Sequence, residues 1–218
     1  MNSDEMKYDH RRRAATLFTA LALAIPCAVH AQSEAAVAKA KADSARYPYT
    51  SADIHFMTGM IGHHAQAIVM SEWAPTHGAS SSVRTLAARI INSQRDEIVS
   101  MQQWLRDRLQ PVPEPDTMGM QMTMKMGATE HEMLMPGMLT DAQMKQLDEA
   151  RGPEFDRLFL RFMIQHHRGA ITMVKQLLGT YGAAQDQIIF KVASDVNTDQ
   201  NTEIARMQKM LLTLTFGQ

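Results

Sequence analysis

Apolar residues recur at helical intervals along most of this chain and lapse where Pro and Gly cluster, so the elements follow from where the pattern starts and stops. With Ser51 as its cap, the first long stretch predicts a helix to about Ala74, where Pro75, His77 and Gly78 make a turn. Ser80 to Ser82 open a second helix that reaches about Leu109, with Val83, Leu86, Ile90, Ile98, Met101, Trp104 and Leu105 among its apolar positions. Together they predict a helical hairpin. Pro111, Pro113 and Pro115 then end regular structure, and a long Met-rich segment of low complexity follows. Thr140 begins a short helix, with Gln143 set for a capping box, and Gly152-Pro153 closes it. A third long helix covers Glu154 to about Leu178, and after Gly179 and Gly182 a fourth runs to about Leu214. Upstream, Glu34 to Arg46 reads as a short Ala-rich arm stopped by Pro48.

The pattern repeats. Phe56 to Met70 and Phe159 to Met173 share F-x-x-x-M-I-x-H-H-x-x-A-I-x-M at a constant offset of 103. Within it Phe56, Met60, His63, Ala67 and Met70 are spaced 4, 3, 4 and 3, which places them on one helical stripe facing the interior. Gln94, Glu97, Ile98, Met101 and Gln102 of the second helix return in the fourth as Gln200, Glu203, Ile204, Met207 and Gln208, at an offset of 106. The expected fold is therefore all-α: a four-helix bundle of two duplicated hairpins with an approximate two-fold axis, residues 51–218, with residues 110–139 as a Met-rich crossover.

Composition and charge narrow the setting. Lys7 and Arg11-Arg12-Arg13 precede a small, apolar run from Ala14 to Val29, and Val29-His30-Ala31 suits a signal peptidase, so residues 1–31 read as a signal peptide and residues 32–50 as an arm. That run is shorter than a bilayer span and is interrupted by Thr16, Thr19 and Pro26. Cleavage would remove four of 22 basic and three of 23 acidic residues, leaving 18 against 20, which offers nucleic acid no electrostatic footprint. Periplasmic export in a Gram-negative bacterium is the expectation. Cys27 would leave with the signal peptide, so no disulfide can form and sulfur must come from methionine. Of the 19 Met residues, nine lie between Met118 and Met144.

Two thioethers and an imidazole per copy of the stripe form a soft-to-borderline ligand set, which favours copper, Cu(I) above all, over magnesium, calcium or manganese. Zinc prefers Cys or carboxylate partners that the stripe lacks. A di-iron site would require Glu-x-x-His, which occurs nowhere in the chain. Adjacent helical residues differ by about 100° around the axis, so one His of each pair lies on the core stripe and the other flanks it. A haem- or metal-dependent redox protein using the same Met/His core remains an alternative, although there is no Cys-x-x-Cys-His attachment motif, as does a structural bundle with no ligand. In the crossover Met118, Met120, Met122, Met124 and Met126 alternate, with His131, Met133, Met135 and Met138 beyond them, a pattern that favours capture of a soft ion by an extended chain. Asp53 and Asp156, matched at the 103 offset, and Glu97 and Glu203 are candidates to orient the histidines, or else to cap helices.

The run TDAQMKQLDEARGPEFDRLFLRFMIQHHRGAITM from Thr140, with DIHFMTGMIGHHAQAIVM in the first half, closely resembles the family known as domain of unknown function 305, over roughly Ser51 to Leu212. The resemblance implies a ferritin-like helical bundle, usually exported, with some members similar to periplasmic copper-binding proteins of copper tolerance. On this chain its ligands would fall on Met60, His63, His64, Met70, Met163, His166, His167 and Met173. The implied partners are a copper ion, with Cu(II) or Ag(I) as alternatives to Cu(I), and another periplasmic copper protein. One departure stands out: the first copy has Gly62 and Gln66 where the second has Gln165 and Gly169, so the two halves need not bind equally.

Overall fold

A computed structural model describes residues 34–39, 41–42, 45, 48–115, 121–126 and 129–217. The proposed signal peptide, Met118 and Met120 lie outside these residues. Outside the crossover the described residues form an all-α fold, as the periodicity predicts. Four long helices, α1 (Ser51–Glu72), α2 (Ser81–Asp107), α4 (Gly152–Leu178) and α5 (Gln187–Phe216), accompany a short α3 (Asp141–Glu149). Helix α1 packs along α2 and α4 along α5, and the hairpins meet through α1 against α4 and α2 against α5.

Helix starts follow the caps. The cap of α1 is Thr50 rather than Ser51: its hydroxyl accepts from the Asp53 N–H, and the Asp53 carboxylate accepts from the Thr50 N–H at 2.7 Å. Ser80 caps α2, and Thr140 with Gln143 forms the expected capping box on α3. Asp186 caps α5 through the N–H groups of Ile188 and Ile189. The same carboxylate pairs with the buried Arg108 guanidinium, which lies 4.3 Å over the Trp104 ring, so the end of α2 is tied to the start of α5.

The crossover is more regular than a loop. Gln121–Met126 (β1) and Thr129–Leu134 (β2) form an antiparallel ladder with Met122 opposite Met133 and Met124 opposite His131. Alternation of Met with polar residues has the period of a strand, and the prolines before it bar a helix, so this local pattern departs from the all-α expectation for physical reasons.

Two buried apolar clusters fill the interior, one around Phe155, Phe159 and Leu86, the other around Phe56, Trp104 and Ile189. Each fully buried side chain of this size contributes roughly 1.5–3 kcal/mol relative to exposure. The histidine pairs lie between helices held in place by that packing.

Candidate metal centre

Phe56, Met60, His63, Ala67 and Met70 are all buried, as are Phe159, Met163, His166, Ala170 and Met173, so the duplicated stripe does face the core. The flanking members of the pairs are buried too. His63, His64, His166 and His167 each have 0% exposure. A side chain beside the stripe would ordinarily reach solvent; here each flanking imidazole turns to a carboxylate on the paired helix. His64 Nε2–H donates to Glu97 Oε2 at 2.6 Å, and His167 Nε2–H donates to Glu203 Oε2 at the same distance. Those glutamates are 15% and 20% exposed, so each bond links the core to the protein surface.

The stripe histidines meet each other. The His63 and His166 rings lie 3.8 Å apart between centroids, inclined at 40°. His63 Nε2–H donates to the carbonyl of Pro136 at 3.0 Å. Burial, then the neighbouring His64, push the His63 pKa down to about 3, against a smaller opposing effect of the Pro136 bond. Burial and His63 hold His166 well below the usual imidazole value.

These bonds settle the tautomers. Carbonyl and carboxylate oxygens accept, so the proton of His63, His64 and His167 belongs on Nε2, and in the neutral ring Nδ1 carries a bare lone pair. The Nδ1 atoms of all four histidines are buried without a hydrogen-bond partner, as is Nε2 of His166. Leaving a buried acceptor unsatisfied costs about 1–3 kcal/mol, and metal-binding histidines have this arrangement, with the far nitrogen held by a carboxylate or carbonyl. Gln94 and Gln200, one turn before Glu97 and Glu203, add buried amides with neither atom partnered.

The two aspartates act elsewhere. Asp53 Oδ1 accepts from the Ala184 N–H at 2.7 Å, and both oxygens of Asp156 accept from the Ser80 N–H at 3.1 and 3.2 Å. They cap rather than orient histidines. They also reveal the packing: the start of α1 meets the turn after α4, and the start of α4 meets the turn after α1, so these helices cross antiparallel with His63 and His166 at the crossing. Consequently the methionines of one copy do not share a site. Met60 lies in one buried cluster with Met173, and Met70 in the other with Met163, each pair drawn from both copies.

The end of the crossover enters this core, which the repeat alone did not reveal. Gln66 Oε1 accepts from the Leu139 N–H at 2.8 Å, and its amide donates to the Leu139 carbonyl at 3.1 Å. Gly137 rests on Gly169, where a Cβ would stand 1.8 Å from the Pro136 oxygen. The departures between copies, Gln66 for Gly169 and Gly62 for Gln165, were the sequence signal, since an insertion against one half demands different residues there. Met122, Met124, Met126 and His131 belong to the ladder of the crossover.

Chemically the centre offers imidazole nitrogens and thioethers. Among the described residues no group of three or more His, Cys, Asp or Glu side chains is arranged to hold a metal. Thioether sulfur is a soft donor, so a Met/His set of this kind favours soft ions over magnesium, calcium or manganese. No helix among the described residues is long and apolar enough to cross a membrane.

Known proteins share this architecture. The structure of a DUF305 fragment from Deinococcus radiodurans is 27% identical, with 75% of this chain and 97% of that chain covered and a TM-score of 0.61. A DUF305 protein from Streptomyces coelicolor is 30% identical, covering 76% and 94%, with a TM-score of 0.62. CopM in its Cu(I)-bound form is 27% identical, covering 74% and 96%, with a TM-score of 0.55, and CopM structures with Cu(II) and Ag are similar as well. The uncharacterized protein L153 of Acanthamoeba polyphaga mimivirus is 39% identical over 56 residues, a match spanning 37% of its length. A family profile described as a domain of unknown function, DUF305, matches residues 53–211, well over half of the chain, and the chain belongs to that family.

Proposed function

We propose that this protein binds copper, as Cu(I), through buried imidazole Nδ1 and methionine Sδ atoms of His63, His64, His166, His167, Met60, Met70, Met163 and Met173, and that it buffers or passes on copper outside the cytoplasm rather than catalysing a reaction. The observation that carries the reading is the set of four buried Nδ1 atoms without partners, three of them on rings whose Nε2–H is already held. The similarity to CopM, crystallised with Cu(I), Cu(II) and Ag, supports a soft metal.

The crossover is a second, weaker capture site in this reading, formed from Met118, Met120, Met122, Met124, Met126 and His131, where the ladder sets Met124 opposite His131. Export rests on the signal-like residues 1–31. An intact mass beginning at Gln32 in a periplasmic fraction checks it; an uncleaved chain in the membrane fraction counts against it.

The test of the centre is thermal. A ligand that binds only the native state raises its stability, so Cu(I) should raise the midpoint of the wild type far more than that of His63→Ala with His166→Ala. An equal shift in both proteins would reject the assignment.

A further inference from the structure

The two copies of the motif differ where the crossover enters. Gly59 of α1 corresponds to Phe162 of α4 at the 103 offset. A Cβ on Gly59 would stand 3.1 Å from Sδ of Met135 and 3.5 Å from Cε of Met173. The missing side chain thus leaves space on which two thioether groups converge, one from the crossover and one from α4. At the equivalent place in the other half, Phe162 carries a full ring and is buried.

Met135 is held there by its neighbours. Pro136, the next residue, gives its carbonyl to His63, whose Nδ1 lacks a partner. Leu139 is gripped by Gln66, and Gln165 donates to the Gly137 carbonyl at 3.4 Å. Methionine often fills irregular gaps in a core. Here, though, it is the sulfur that lies against Gly59, one helical turn from His63, and the backbone that carries it also fixes the tautomer of that imidazole.

We infer that Met135 is a ligand of the copper centre. It would join Met173, which also lies against Gly59, and Met60 of the same buried cluster, whereas Met70 and Met163 lie in the other cluster. The centre is therefore asymmetric despite the repeat. This inference rests on the copper reading above.

Met135→Leu tests it, since leucine keeps the apolar bulk and removes the sulfur. In competition with a chromophoric Cu(I) chelator, its affinity should fall at least about tenfold, the loss expected even for an outer-shell partner. Met207→Leu, in the opposite cluster, should bind like the wild type. Gly59→Ala should weaken binding as well, by pushing the sulfur aside. If Met135→Leu does not fold, methionine-methyl NMR of the wild type titrated with Ag(I) replaces it: the Met135 methyl should shift and the Met207 methyl should not. Wild-type affinity in Met135→Leu, or an unmoved Met135 methyl while Met60 shifts, overturns the inference and leaves the copper reading standing. A wild type that takes up neither ion overturns both.

Discussion

The imidazole of His63 lies 3.8 Å from that of His166, its counterpart 103 positions later, so the duplicated residue meets its own copy at the crossing of α1 and α4. Two buried rings in contact cannot both carry charge without large cost, and both are held neutral, His63 with a pKa near 3 and His166 well below normal. The unperturbed imidazole titrates near ~6.5.

That difference makes the metal-free protein sensitive to acid. Between about pH 6.5 and pH 3 the unfolded chain binds a proton at His63 that the folded chain refuses, and His166 acts in the same direction, so stability rises with pH across this window. It is fully present above 6.5 and falls progressively below it. Lowering the pH from 7 to 5 should cost on the order of 2 kcal/mol through His63, with His166 adding to the loss in the same direction. Urea unfolding at the two pH values measures it, and a profile flat over this range would mean that the rings are accessible to protons in the folded state.

Glu97 and Glu203 carry the proposed ligands from behind. Replacing both with Leu leaves two buried Nε2–H groups without acceptors, which should cost about 1–3 kcal/mol at each site. Cu(I) affinity should drop roughly 10- to 100-fold. Glu97→Gln with Glu203→Gln keeps an acceptor oxygen in reach, so its losses should be smaller. Chelator competition and unfolding curves on the same proteins separate the two effects; loss of stability with unchanged affinity would make the glutamates purely structural.

Gly169 decides whether the crossover can dock. A Cβ there would stand 1.8 Å from the Pro136 oxygen and 2.4 Å from its carbonyl carbon, both backbone atoms. Gly169→Ala must therefore displace the turn, although alanine favours the helix itself by about 1 kcal/mol. The expected outcome is a net loss of about 1–3 kcal/mol, as for other overpacked sites, and faster proteolysis between residues 110 and 140. Limited proteolysis with and without the substitution reads this directly, and unchanged cleavage would show that the turn finds another seat.

The helices, their caps and the duplication were legible in the chain because each depends on neighbours within a few residues or on comparison of the chain with itself. The stripe from Phe56 to Met70 announced burial, and the alternating Met residues announced an extended segment. Two points lay beyond local pattern. Helical periodicity sets His64 beside the core stripe, and only the packing of α2 against α1 brings Glu97 to it and buries both partners' contact. Likewise the repeat grouped Met60 with Met70, whereas the antiparallel crossing of α1 and α4 groups Met60 with Met173. Met135 was one thioether among many in a biased segment until Gly59 and Gly169 gave its turn a place to enter. Spacing along one helix determines which side chains share a face; which faces meet depends on interhelical packing, and that is decided by contacts between residues far apart in the chain, 33 positions for His64 and Glu97 and 103 for His63 and His166.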